Sequence, residues 1–311
     1  MKIGVLGATS QIAKDLILSF STEEGKKLHL FARRPDEVTK WLKDVGLSER
    51  YLVDDYLAFG TQEFDAILNF VGVGNPAQAA AMGASIIDVT LQYDELVLNY
   101  LRQHSLCRYI FLSSGAAYGS SFDTPVNSEA KAIIDINKLQ PQDWYGVAKL
   151  HSECRHRSLP HLSIVDVRVF NYFSHTQDIE ARFLITDIVR AIRDKTVLKI
   201  SSDYMVRDYI GPADFYQLVS KILTSPATNM AVDCYSKGPI DKTTLIEIMH
   251  SKFDLRYELV KVANTVNATG IKSNYYSLNR QAENFGYQPI LSSADVIQTE
   301  CQFMLNKINH T

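Results

Sequence analysis

Residues 2–20 read KIGVLGATSQIAKDLILSF. The first five are a short apolar run that stops at Gly7, and Ile12, Leu16 and Phe20 then recur every fourth position. An apolar run of that length is a strand, and the four-residue stripe is one face of a helix. The residues between them are small. A turn of this kind, opening a helix, lets backbone N–H groups approach a phosphate at the helix N-terminus. The spacing is that of GxxGxxG, with Ser10 and Ala13 in place of the second and third glycines.

The same alternation continues outward. Residues 28–31, 51–53, 66–71, 109–113 and 163–170 read as strands, and 94–103 and 145–157 as helices. Short apolar strands alternating with helices predict a parallel sheet covered on both faces, a doubly wound α/β domain. In that architecture ligands bind beyond the carboxyl ends of the strands. After residue 172 the pattern shifts to helices at 183–193, 214–224, 243–253 and 294–307, with longer loops and no clean linker. We expect a cofactor domain of residues 1–171, re-entered near 201–220. A smaller C-terminal substrate-binding lobe would take 172–200 and 221–311.

Composition narrows the class. A chain of 311 residues can bury its own core without metal or disulfide staples. Its net charge of −3 argues against a nucleic-acid partner, which needs a basic surface. Cys107, Cys154, Cys234 and Cys301 lie far apart and form no CxxC pair, so they read as free thiols in a reducing compartment such as the cytosol. Residues 66–87 run without a charge, which is membrane-span length, but Asn69, Asn75, Pro76, Gln78 and three glycines interrupt them. No membrane partner is expected. The run reads as a buried strand, a cofactor-side loop at 71–76 and an Ala-rich segment.

Several residues point to chemistry. The second strand ends in Ala32-Arg33-Arg34-Pro35, with no acidic residue. An acid there suits a free ribose 2′-hydroxyl and an arginine suits a 2′-phosphate, so NADP(H) is favoured, with NAD(H) possible. Tyr145-Gly146-Val147-Ala148-Lys149 places a phenol and an ammonium four apart on one helical face. A nearby cation stabilises the phenolate of a group whose pKa is otherwise ~10, which makes Tyr145 a general acid/base candidate. Upstream, Ser113-Ser114-Gly115-Ala116-Ala117-Tyr118-Gly119 follows a strand, where a serine hydroxyl can hold a substrate oxygen.

The Gly turn, the strand-end serines, YxxxK and the later Arg168-Val169-Phe170-Asn171 together resemble the extended short-chain dehydrogenase/reductase family, and within it the nucleotide-sugar epimerases, dehydratases and reductases. The resemblance spans nearly the full chain and implies a Rossmann-like fold. It also implies roles by position. Gly7, Ser10, Gln11 and Ile12 would cradle the cofactor. Asp55, or less directly Tyr56, would meet the adenine, and Val71 and Gly72 the cofactor ribose. Ser114, Tyr145 and Lys149 would be catalytic. Phe170 would lie by the nicotinamide, and Asn171 and Arg207 would hold the substrate, Arg207 at its diphosphate. A homodimer through 94–103 and 145–157 is implied as well.

Two departures shape the expected activity. The Asp-Glu pair that follows the catalytic Ser/Thr in the dehydratases is here Gly115-Ala116, which cannot move protons. Arg33 and Arg34 suggest an NADPH that is consumed. The leading expectation is therefore NADPH-dependent reduction of the 4-keto group of a nucleotide-activated 6-deoxy sugar. The alternative is a C4-epimerase with tightly bound NAD, which uses the same triad. A dinucleotide-sensing regulator is a third reading, which the presence of both Tyr145 and Lys149 disfavours. His151, Glu153, Cys154 and His156 invite a metal, but they follow Lys149 on its own helix, and no metal is expected. Tyr275-Tyr276 is read as core or surface rather than as a base-stacking pair.

Overall fold

The computed structural model describes residues 1–73, 81–119, 121–260 and 272–309. Seven parallel strands form the central sheet: β1 (Lys2–Leu6), β2 (Lys27–Phe31), β3 (Leu52–Asp54), β4 (Ala66–Asn69), β5 (Arg108–Ser114), β6 (Ile164–Val169) and β11 (Asn229–Cys234). Their order is β3-β2-β1-β4-β5-β6-β11. Helices α1 (Gln11–Ser21), α2 (Pro35–Asp44), α3 (Ser85–Gln103), α4 (Trp144–Arg157) and α6 (Pro212–Thr224) cover it. The doubly wound Rossmann-like α/β fold is as expected. β3, which reads weakly in sequence, is the exposed edge, so fewer of its side chains need be apolar.

The order reverses between β1 and β4, where such sheets bind ligands. Val5 pairs with Leu68, and the Phe70 N–H then bonds the Leu6 carbonyl at 2.9 Å. The turns after β1 and β4 therefore stand side by side. α3 begins at Ser85, nine residues before the expected start, so the end of the uncharged run is helical. The proposed cofactor-side loop is described only to residue 73. Its remainder and residues 77–80 of the Ala-rich segment lie outside the described residues.

A second core belongs to the lobe. Phe173, Ile188, Leu245, Met249 and Ile297 pack there among α5 (Leu184–Arg193), α7 (Lys242–Phe253) and α8 (Ser293–Asn309). Its small sheets pair β8 (Val197–Ser201) with β13 (Arg256–Val260), and β9 (Val206–Arg207) with β12 (Ile240–Asp241) and β14 (Asn274–Tyr275). β7 (Asn171–Tyr172) pairs with β10 (Tyr209–Ile210) where the chain crosses between the two parts.

The expected division needs correction. The stretch 221–311 was assigned to the lobe, but β11 lies within it and is the seventh strand of the main sheet, in full register with β6. Phe215, Leu218 and Val219 of α6 join the main core, as do Val232, Cys234, Ala282 and Tyr287. Residues near 201 belong instead to the lobe's strands. A six-residue strand after a short helix looks alike in either part; only its pairing partner places it.

Candidate active site

Gly7 ends β1 with φ +78°, and a Cβ there would meet the Phe70 carbonyl carbon at 2.7 Å. Only glycine fits, because the left-handed backbone and the neighbouring turn leave no room. Ser10 caps α1 without a side-chain bond to the helix, and the first turn carries no acid. The leading N–H groups of α1 are thus left for an anion, as a pyrophosphate site requires. Gln11 turns away from that position: its Nε2 donates to Ser174 Oγ at 2.8 Å. Ile12 packs against the main core. Buried Asp15 accepts bonds from Tyr172, Ser174 and Thr176 and so ties α1 to the crossover segment.

The side expected to meet the adenine is less defined. Arg33 and Arg34 are exposed, and Arg34 pairs with Glu37 at 2.7 Å. Asp55 accepts from the Leu57 N–H at 2.9 Å and caps a short turn. It is Tyr56 that reaches inward, its hydroxyl accepting from the Gly7 N–H at 3.1 Å.

The expected catalytic groups converge at the ends of β5 and α4. Gly146 lets α4 approach: a Cβ there would sit 2.7 Å from the Ala116 carbonyl oxygen. Tyr145 is brought beside Ser114. Burial pushes its phenol up, and hydrogen bonding to Ser114 opposes that shift. Lys149 is 3% exposed and donates to the Leu112 carbonyl at 2.7 Å. Its ammonium lies 4.4 Å from the Phe111 ring centre and 5.8 Å from that of Tyr145. Burial lowers its pKa to about 8, while Asp94, Asp166 and Glu153 work against that. A Cβ at Gly72 would stand 3.6 Å from the same ammonium, so the turn after β4, including Val71, borders the site.

Buried ionic groups stand behind these residues. His156 Nδ1 lies 2.6 Å from Asp166 and Nε2 2.7 Å from Asp94. Burial opposes its charge, but the two carboxylates outweigh it and raise its pKa to about 9. Asp94 also accepts from Tyr109 at 3.0 Å, Tyr109 from Asn69 at 2.9 Å, and Asn69 Oδ1 from the Val71 N–H at 2.9 Å. The chain of bonds runs from α4 to the turn by Lys149. Glu153 is bound by Arg168 and Ser113. The imagined metal quartet is thus split, and among the described residues no group of three or more His, Cys, Asp or Glu could hold a metal.

On the expected substrate side, Phe170 packs 5.1 Å from Tyr275, ring centre to centre. A Cβ at Gly115 would meet Phe170 at 2.5 Å, so a carboxylate there is sterically excluded with Phe170 in place. Asn171 donates to the Asp208 carbonyl at 3.2 Å, and Arg207 donates to its neighbour's carbonyl. Tyr275, read from sequence as core or surface, is part of a small buried core with Tyr118, Phe122 and Phe170, and its hydroxyl also lies 3.3 Å from Ser114 Oγ. Lys272 joins it, and no motif signalled either residue. Ser114, Tyr145, Lys149 and Phe170 are therefore gathered, and Arg207 reaches the group through Tyr275. Arg33 and Arg34, after β2, and Asp55, after the edge strand β3, lie apart from this group.

The fold and this constellation define an α/β dinucleotide-binding enzyme class. A model of the NAD dependent epimerase/dehydratase family matches residues 3–235, and the chain belongs to that family. UDP-glucose 4-epimerase 2 of Oryza sativa subsp. japonica is 26% identical over 238 residues, 67% of this chain and 53% of that protein. The chain spans about half the length of the curated relatives it matches. Among solved structures, UDP-N-acetylglucosamine 4-epimerase from Methanobrevibacter ruminantium M1 superposes with TM-score 0.81 at 15% identity, covering 98% of both chains. UDP-glucuronic acid 4-epimerase from Bacillus cereus, with UDP-glucuronic acid and NAD, gives 0.77 at 17% identity, covering 99% of this chain and 100% of that one. Among the described residues no helix is long and apolar enough to cross a membrane.

Proposed function

We propose that this chain is a nucleotide-sugar C4-epimerase that uses NAD, the alternative reading of its sequence rather than the leading one. The observation that carries it is the Ser114–Tyr145–Lys149 group with no proton-moving side chain at 115 or 116. Epimerisation at a carbinol carbon needs one acid/base that acts twice. It needs no second acid for elimination. Family membership and the 4-epimerases among the relatives support the same choice.

The residues fit the cofactor. The uncapped α1 N-terminus and Ser10 would hold the pyrophosphate, and Lys149 with the Val71–Gly72 turn would hold the ribose beside the reacting carbon. NAD supplies a hydride acceptor that becomes the donor. Ser114 would fix the substrate C4 oxygen, and Tyr145 would take its proton. Lys149, charged at neutral pH with a pKa of about 8, would favour the phenolate form. After the keto sugar turns over its other face, Tyr145 would return the proton. Asn171 and Arg207 would keep the nucleotide end fixed during that turn.

The test is incubation with UDP-glucose, UDP-N-acetylglucosamine and UDP-glucuronate, following C4 inversion by NMR. Inversion without net cofactor turnover is expected. Stoichiometric NADPH consumption on a 4-keto nucleotide sugar, with no inversion, would establish the reductase instead. Arg33 and Arg34 favour that second reading, although Arg34 is engaged by Glu37.

A further inference from the structure

Lys149 is buried, yet among the described residues it makes no ion pair; its ammonium donates to the Leu112 carbonyl and lies against the Phe111 and Tyr145 rings. A buried cation ordinarily has a carboxylate in contact. Here the carboxylates act from further off, and Asp94 favours the charged ammonium more strongly than Asp166 or Glu153 does. Asp94 is fully buried on α3, and no motif of the sequence signals it.

The same carboxylate is bonded on both of its oxygens. Oδ1 accepts from Tyr109 at 3.0 Å and lies 2.7 Å from His156 Nε2, and Oδ2 accepts from Arg155 at 3.2 Å. Arg155 and His156 alone would suffice to join α3 to α4. The Tyr109 bond leads elsewhere: Tyr109 accepts from Asn69 at 2.9 Å, and Asn69 Oδ1 accepts from the Val71 N–H at 2.9 Å. That turn is the one where a Cβ at Gly72 would stand 3.6 Å from the Lys149 ammonium. Two routes, one of hydrogen bonds and one of charge, thus run from Asp94 to one corner of the site. In a dry interior such a network is rigid, and its charges are felt over longer distances than in water.

We propose that Asp94 is a positioning residue for the reacting end of the cleft: its hydrogen bonds set the Val71–Gly72 turn, and its charge balances the buried Lys149 ammonium. It acts through Tyr109 and Asn69 on one side and through Lys149 on the other. This rests on the reading above in which Lys149 and that turn hold the cofactor ribose.

Two variants separate the routes. Asp94→Asn keeps the shape and an oxygen for Tyr109 but removes the charge. Tyr109→Phe keeps the charge but breaks the bond chain. The readouts are the titration of Lys149 in the NAD-free chain, by NMR of isotopically labelled lysine with Lys149→Met for assignment, and NAD affinity by calorimetry. Lys149 is faced by Tyr145, Glu153 and His156 from its own helix, Asp94 from α3 and Asp166 from β6, with Arg155, Arg157 and Arg168 on those carboxylates. Lys149 titrates at about 8 and His156 at about 9, so the lysine step comes first. Asp94→Asn is expected to lower the Lys149 midpoint by about one pH unit, because a negative charge that favours the ammonium is gone. Tyr109→Phe is expected to leave that midpoint in place and to weaken NAD binding about three- to tenfold. A role confined to stability would lower resistance to denaturant in both variants and move neither readout, which overturns the proposal. An unmoved Lys149 midpoint in folded Asp94→Asn overturns it too, as does unchanged NAD affinity in Tyr109→Phe. The second variant is the milder change to the core, so it decides the matter where Asp94→Asn does not fold. A chain that shows both shifts but inverts no nucleotide sugar sustains the proposal and overturns the epimerase reading; one that binds no NAD overturns both.

Discussion

The two sides of the cleft are built differently. The proposed cofactor side is made of backbone: a turn at Gly7, the open N-terminus of α1, and the neighbouring turn at Val71–Gly72. Its parts lie close in sequence or on adjacent strands. The substrate side is made of side chains that meet from afar, as Ser114 meets Tyr275 across 161 positions. Backbone sites read the shared part of a ligand, its phosphate charge and shape. Side-chain sites can be exchanged singly, so they are where substrate choice resides. In this chain the buried Asp94–His156–Asp166 group is tied through Tyr109 and Asn69 to the turn at Val71.

The sharpest break between them is Tyr145→Phe. It removes the proposed proton carrier but no cofactor contact made by backbone, so turnover should fall about 10³-fold or more with NAD affinity unchanged. Parallel stopped-assay kinetics and NAD titration would show it. Next in size is His156→Leu, which leaves Asp94 and Asp166 without their shared partner. It should cost about 3–5 kcal/mol in denaturant unfolding. The same residue gives a pH test. Its folded pKa is about 9, above the ordinary 6.5, so its stabilisation is complete below pH 6.5 and lost as pH rises through about 9. The stability difference between wild type and His156→Leu should shrink over that window.

Gly7→Ala attacks the cofactor side alone. Its φ of +78° and the 2.7 Å approach to Phe70 predict a loss of about 2–3 kcal/mol, together with weakened NAD binding. Nucleoside diphosphate binding to the surviving folded fraction should change little. The smallest effect is expected from Arg34→Ala. Arg34 is exposed and paired with Glu37, and a surface pair of that kind is worth about 0–1 kcal/mol. A change of less than about threefold in NAD affinity would fit; a large gain of NAD over NADP would reassign Arg34 to the cofactor.

Much of the fold was legible because its signals are local. Apolar runs, four-residue stripes and the Gly7 turn each depend on neighbours a few residues away, and six of the seven sheet strands fall where those signals stand. YxxxK and the strand-end serines were legible for the same reason, since one helix face and one strand terminus place them. Asp55 and Gln11 carry bonds that position matching does not foresee. Each stands where the family resemblance puts a cofactor contact, and Asp55 also caps its own turn while Gln11 also binds Ser174.

What the sequence by itself determined is the layered α/β architecture, the Gly7 turn and the Ser114, Tyr145 and Lys149 set. Only the tertiary structure decided that Asn229–Cys234 belongs to the main sheet and that the Phe170 ring fills the space a side chain at 115 would need. It alone brought Tyr275 and Lys272 into the site. The physical reason is range. Periodicity and turn chemistry are set by bonds between near neighbours, whereas a site shared by two lobes is set by which distant surfaces pack together.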